Sequence, residues 1–297
     1  MKLKALMINN KLVLGTVQFG LPYGISNKNG QVSNSEVARI LDIAKVKGIH
    51  TLDTAIAYGS SEKVLGEHNL ESFDIITKLP AIPDDTSDIK GWLEEQITGS
   101  LTRLRVPKIK AVLLHRPEQL HSEAGAEIYA ALDSLKIKGL TERIGISIYS
   151  PNEFINLSRD FHFDLIQAPF NVLDTRLQDS GALDILESQE TRLHVRSIFL
   201  QGLLLMDKKQ RPNKFNEWSQ LWTKWENWLD EHNLTPLEVC IRHALSMPHI
   251  EKVVVGVDSA DQLQEIVTAS EGNLPTIPSN ISCSDIRLLS PQLWNQL

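Results

Sequence analysis

Cysteine is nearly absent from this chain: Cys240 and Cys283 are the only two. They give neither a disulfide framework nor the paired spacing of a zinc site, and they predict reduced thiols in a cytoplasmic protein. No two of the nine histidines stand four apart with a glutamate between them, so no metal site is expected. Basic charge is in deficit, 30 Lys and Arg against 37 Asp and Glu, for a formal net charge of −7. That balance argues against nucleic acid or an anionic membrane as partner, since both call for clustered Lys and Arg. No apolar run reaches the roughly 18 residues that mark a membrane-spanning helix. The opening MKLKALMINNKLVLGT has no small-residue cleavage site; it predicts a β-hairpin turning at Asn9-Asn10 rather than a leader peptide. Glycine-rich phosphate loops are missing too. Gly145-Ile146-Ser147 lacks the closing glycine of a nucleophile elbow, so Ser147 is not expected to attack a substrate.

The chain does have a regular alternation. Short apolar runs at 12–16, 50–55, 73–79, 111–116, 142–148, 164–170, 192–199 and 252–257 read as strands, and a helix-like segment follows each. The helix near 33–48 carries Val37, Ile40, Leu41 and Ala44 at helical spacing behind the cap candidate Ser33. Further helices are expected over about 86–104, 122–138 and 259–270, with Gly139 ending the second of these and Pro151 suited to a first helical turn. Eight β/α units without a composition break predict a single-domain α/β protein over 1–297, a (β/α)8 TIM barrel with an N-terminal β-hairpin. Between strands seven and eight lie a polar loop and a Trp-rich helix. Trp218, Trp222 and Trp225 share a helix face suited to packing, whereas Trp228 falls off that stripe and is expected to reach the surface.

Four residues stand at or just past strand ends: Asp53 and Tyr58 in LDTAIAYGSSE, Lys78 in ITKL and His115 in LLHRP. In a parallel barrel, all strand ends of one kind meet at one face. A phenol ionises near ~10, and a nearby ammonium stabilises its phenolate while a carboxylate fixes the ammonium. An imidazole beside them orients a carbonyl and shares its proton. Such a group delivers a proton to a carbonyl oxygen while hydride arrives from elsewhere. Taken singly, Asp53 reads as a loop cap, Tyr58 as a packing residue and His115 as a satisfied strand-end polar group. Lys78 is harder to place so, because a lysine at a barrel mouth needs an anionic partner.

In this order along the chain the motifs resemble the aldo-keto reductase family, and the resemblance covers nearly the whole sequence. It rests on Gly15-Thr16-Val17-Gln18-Phe19-Gly20, on Asp53 to Glu62, on Lys78 and on His115. It implies NADP(H)- or NAD(H)-dependent reduction of a small-molecule carbonyl substrate. Tyr58 would be the general acid, Asp53 and Lys78 its tuners, and His115 the carbonyl orienter. The same resemblance implies that Ser147 and Gln167 hold the nicotinamide carboxamide, with Thr16 also at the cofactor. The stretch 197–204, with Ser197, Phe199, Gln201, Gly202 and Leu203, would pass the pyrophosphate. The stretch 256–266, with Gly256, Asp258, Ser259, Gln262 and Glu265, would cup the adenosine end.

The chain departs from the family pattern at three places. Ile148 stands where an asparagine would follow the strand-five serine, Arg196 where an aromatic ring would stack on the nicotinamide, and Asp258, Ser259 and Gln262 where basic residues would grip a 2′-phosphate. A carboxylate there repels that phosphate and accepts from a ribose hydroxyl, which predicts weakened NADP preference. Pocket walls are expected from Val17 to Tyr23, Ala57, Pro80 to Pro83, Arg116-Pro117 and the 207–214 loop. Arg116 and Arg196 would favour a polar or acidic substrate, such as a sugar derivative. Two other functions fit the same residues: a lyase with Lys78 as Schiff-base nucleophile, and a nicotinamide-binding regulatory subunit. An oligomeric interface leaves no one-dimensional pattern to read.

Overall fold

The computed structural model describes residues 8–25, 27 and 30–297. Its strands are β1 (Leu12–Gly15), β2 (Thr51–Asp53), β3 (Asp74–Leu79), β4 (Ile109–Leu114), β5 (Thr141–Ser147), β6 (Leu165–Pro169), β7 (Arg192–Arg196) and β8 (Lys252–Gly256). They pair in sequence order, and β1 meets β8 from Leu12↔Val253 to Gly15↔Gly256, which closes the barrel with every ladder parallel. Parallel strands covered on both faces bury nearly every residue, and β1 and β6 are buried throughout. Among the described residues no helix is long and apolar enough to cross a membrane.

The helices form where capping and periodicity place them. Asn34–Lys47 opens on Ser33, whose Oγ accepts from Glu36 N, and closes on left-handed Gly48; its buried residues are Val37, Ile40, Leu41 and Ala44. Pro151–Leu157 and Pro236–Ser246 each carry a capping box, Ser150 with Glu153 and Thr235 with Glu238, and each has proline in the first turn. Most of the apolar core lies between the barrel and this helical layer. A small inner cluster of Ile76, Ala111, Leu113 and Leu165 fills the barrel itself.

A second cluster stands beside the barrel. It joins Trp222, Trp225 and Trp228 of the helix Ser219–His232 to Phe215, Leu288, Leu289 and Trp294, and Phe199 packs against both clusters. The expected surface role of Trp228 is overturned. Its side chain is buried, stacked on Trp225 at 6.4 Å and tilted against His232 at 4.5 Å. Three helical positions after Trp225, it stays within the broad apolar face that a tail-covered helix buries.

The expected N-terminal hairpin has its first arm outside the described residues. At its turn, Ile8 and Asn9 are helical and Lys11 N donates to Ile8 O at 3.0 Å. The other arm is β1, whose edges go to β8 along its length and to β2 at Leu14 and Gly15.

Candidate active site

The sequence brings Asp53, Tyr58, Lys78 and His115 to one mouth of the barrel, and the structure joins them. Lys78 Nζ donates to Asp53 Oδ1 at 2.5 Å and to Thr54 O at 3.0 Å, and lies 5.2 Å from the centroid of the Tyr58 ring. Gln167 Nε2 donates to the other Asp53 oxygen at 2.7 Å. The rings of Tyr58 and His115 meet edge to face at 6.1 Å. Asp53 and Lys78 are buried, whereas Tyr58 and His115 keep partial exposure. Burial works against the Lys78 ammonium, but the charges of Asp53 and Tyr58 outweigh it and hold the group above the ordinary lysine value. A lysine kept charged in this way is a poor Schiff-base nucleophile, because imine formation needs the neutral amine.

The Tyr58 loop is clamped from beneath. A Cβ on Gly20 would lie 1.8 Å from Tyr58 O and 2.5 Å from Ser61 N, so that position accepts only glycine. Gly59, at φ 55, makes the left-handed turn directly after the tyrosine. Ser61 Oγ donates to Thr16 O at 2.8 Å, and Thr16 Oγ1 donates to Asp53 O at 3.0 Å. Glu62, in the short helix Ser61–Leu65 that follows the loop, ties it to β3 and to the helix Ile89–Leu104, accepting from Thr77 Oγ1 at 2.7 Å, Ser100 Oγ at 2.9 Å and Arg103 Nε at 2.8 Å. Thr77 precedes Lys78, so the loop bearing the phenol and the strand bearing the ammonium share one buried anchor.

Burial first, then the charges of Lys78 and Arg196, hold His115 down at about 4. The imidazole is therefore neutral at neutral pH. Burial likewise brings His243, stacked on Phe170 at 5.0 Å, down to about 4. The unfolded chain takes up protons at these histidines near ~6.5, the folded chain only at about 4, so the folded state binds fewer protons between those values. Stability then rises with pH across the window. Urea midpoints are expected to fall by roughly 1–3 kcal/mol equivalent as pH drops from ~6.5 to ~4. His243→Gln should make that fall shallower; equal slopes would rule out the linkage at this residue.

A cavity of about 580 Å³ opens beside the four residues and runs toward β8. The Aldo/keto reductase family model matches residues 11–277. The chain belongs to the aldo/keto reductase family. A solved aldo-keto reductase from Bacillus halodurans, AKR11C1 in its holo form, is 21% identical over 90% of this chain and 88% of its own, with a TM-score of 0.72. A putative aldo-keto reductase from Pseudomonas aeruginosa is 21% identical over 88% of this chain and 89% of its own, with a TM-score of 0.65. Comparison with curated proteins gives no match. The family makes this protein an oxidoreductase of carbonyl compounds, and aldo/keto reductases use nicotinamide cofactors.

The residues of this aldo/keto reductase fit such a cofactor. Ser147 and Gln167 are paired across β5 and β6; both are buried, and among the described residues Ser147 Oγ and Gln167 Oε1 have no hydrogen-bond partner. Buried polar atoms are costly without a partner, and a carboxamide would offer matching donors and an acceptor. Thr16, Ser197, Phe199, Gln201 and Gly202 line the cavity. Farther along, Gly256, Asp258, Gln262 and Glu265 line it too. Three residues do not. Ser147 is buried at the end of β5 beside the lining residue Gln167, Leu203 is buried in the second cluster, and Ser259 caps the helix Ala260–Ala269 by accepting from Gln262 N.

Several expected walls are elsewhere. Ala57, Pro80 to Pro83, Arg116-Pro117 and the 207–214 loop do not line the cavity. Gln119 holds Ile82 through both its N–H and carbonyl, at 2.9 and 2.8 Å, which draws that loop to β4. Arg116 is exposed and faces Glu118 at 3.4 Å. Arg211 pins its loop outward, 3.0 Å from Glu226 and 4.3 Å from the Trp222 ring. Their places are taken by Tyr149, Leu205, Leu237, Pro291 and Gln292, which the sequence reading missed. Gln18 was missed as a polar contact: it is buried against Gly256, and among the described residues its Oε1 has no partner. No motif marks these residues, because each reaches the cavity from a segment without a signature of its own.

Proposed function

We propose that this aldo/keto reductase reduces an aldehyde or ketone, with Tyr58 as general acid and NADH as the preferred reductant. The observation that carries the reading is the buried Lys78–Asp53 pair set 5.2 Å from the Tyr58 ring, with His115 edge-on to that ring. The bound dihydronicotinamide supplies the hydride that the carbonyl carbon receives. His115, neutral, donates an N–H to the carbonyl oxygen and holds it in line. Tyr58 gives that oxygen its proton, and the Lys78 ammonium stabilises the phenolate left behind. Asp53, held by Gln167 on its other oxygen, keeps the ammonium in place. Ser147 and Gln167 would hold the carboxamide.

The preference for NADH rests on the far end of the cavity. Asp258 stands there half-buried, with burial pushing its carboxyl above the ordinary aspartate value. The first N–H of the helix Ala260–Ala269 is already taken, because Ala260 N donates to Glu36 Oε1 at 2.7 Å. That bond is the main reason the Glu36 carboxyl lies below its ordinary value. Arg39 is paired with Glu36 at 2.7 Å and faces Asp261 at 3.8 Å. A 2′-phosphate would meet carboxylates at a helix start that otherwise favours anions. NADH is therefore expected to bind at least ~10-fold more tightly than NADPH, a difference of about 1.4 kcal/mol. Asp258→Arg should recover much of that difference for NADPH, as read by nucleotide fluorescence; tighter NADPH binding by the wild type would overturn the preference.

Consumption of reduced nucleotide by a panel of small aldehydes and ketones tests the reaction itself. Turnover that follows Tyr58 supports it. Tight nucleotide binding with no turnover across the panel would replace it with a regulatory, nicotinamide-binding role.

A further inference from the structure

Arg196 ends β7 and reaches across the barrel mouth to the end of β5. Its Nη2 donates to Ile148 O at 3.0 Å and its Nη1 to Ser197 Oγ at 3.2 Å, and Cζ lies 4.7 Å from the centroid of the Tyr149 ring. β6 runs between those two strands, with Pro169 opposite Arg196 and Gln167 opposite Ser147. The guanidinium therefore crosses the barrel mouth at the end of β6, close to the unpartnered Ser147 Oγ and Gln167 Oε1. Its planar face is held by a ring and two acceptors, so it is fixed in place.

No carboxylate among the described residues pairs directly with that guanidinium. Among the described residues no ion pair engages Arg196; its partners are a carbonyl, a hydroxyl and a ring. Glu153, whose carboxyl feels Arg196, accepts from Tyr149 N and Ser150 N at 3.2 Å each as part of its capping box. The other cation at this end, Lys78, is neutralised by Asp53. The acids Asp258 and Glu265 line the cavity at its β8 end. Among the described residues lining the reacting end of the cavity, Arg196 is thus the cation with no directly paired acid.

The two redox forms of a nicotinamide differ in charge: the oxidised ring is a cation and the reduced ring is neutral. We propose that Arg196 makes this site discriminate by redox state, binding the reduced nucleotide more tightly than the oxidised one. The inference rests on the reading that Ser147 and Gln167 hold the carboxamide. Like charges that share a partly desolvated cavity repel, and the neutral ring escapes that repulsion. The discrimination expels the oxidised product after turnover and limits its inhibition. It suits an enzyme working as a reductase where oxidised nucleotide is abundant.

The test is the ratio of the NAD+ and NADH dissociation constants, with NADH followed by fluorescence and NAD+ by competition. Wild type is compared with Arg196→Gln, which keeps a donor for Ile148 O without the charge, and with Arg196→Lys, which keeps the charge without the plane. Arg196→Gln should lower the ratio by about tenfold, equivalent to about 1.4 kcal/mol, while Arg196→Lys stays within about threefold of wild type. An unchanged ratio in Arg196→Gln overturns the proposal, as does an equal drop in Arg196→Lys. If the ratio holds but Arg196→Gln loses selectivity for carboxylated over neutral aldehydes, the guanidinium serves an anionic substrate instead. Wild type that binds neither nucleotide overturns the nucleotide reading itself, a result distinct from an unchanged ratio.

Discussion

Tyr58→Phe is expected to lower kcat by about 10²- to 10⁴-fold, the usual contribution of a positioned general acid. The affinity for NADH should stay within about twofold of wild type. The substitution removes one hydroxyl and leaves the ring, its edge contact with His115 and its place above Lys78. The clamp beneath the loop, from Gly20, Ser61 and Thr16, touches backbone and not the phenol. Steady-state assays with titrated nucleotide separate the two effects. A Phe variant that keeps a tenth or so of wild-type kcat would remove Tyr58 from the proton-transfer role.

The second large effect is on folding. Lys78→Met should cost about 3–5 kcal/mol, because it leaves a buried carboxylate without its counter-ion. Asp53 is only 3% exposed, and its remaining side-chain partner would be the neutral Gln167 amide. Asp53→Asn alone should also destabilise, by stranding the ammonium. The double variant should recover a good part of the combined loss, since neither charge is then left unpaired. Urea midpoints measured on all four proteins give the coupling directly. Additive losses would mean that the pair is not a folding unit. Activity should vanish in both single variants, so the stability cycle is what distinguishes the pair from a purely chemical role.

The barrel was legible because each strand is a short apolar run and each helix has a cap or a period. All eight strands overlap the runs read from the sequence, and Ser33 and Pro151 open their helices as expected. The four-residue group was legible for the same reason: residues at or just past the same ends of parallel strands converge on one face. The walls of the cavity were not. Glu36 meets Ala260 across 224 residues of chain, and Pro291 and Gln292 arrive from a tail with no motif. Pro80 to Pro83 and the 207–214 loop were misplaced because side chains elsewhere, Gln119 and Arg211, decide which way those loops lean. Trp228 was misread because a helix covered by another segment buries a wider face than its strict stripe.

Five of the six tryptophans lie in the cluster beside the barrel, and Trp294 of that cluster belongs to the tail that lends Pro291 and Gln292 to the cavity. Intrinsic fluorescence of this protein is therefore a local gauge. It registers the annex and the tail moored to it, while circular dichroism in the far ultraviolet registers the barrel and its helices. Melts followed by the two signals coincide only if annex and barrel come apart together. Phe199, packed against both, is the side chain through which that cooperativity would have to run.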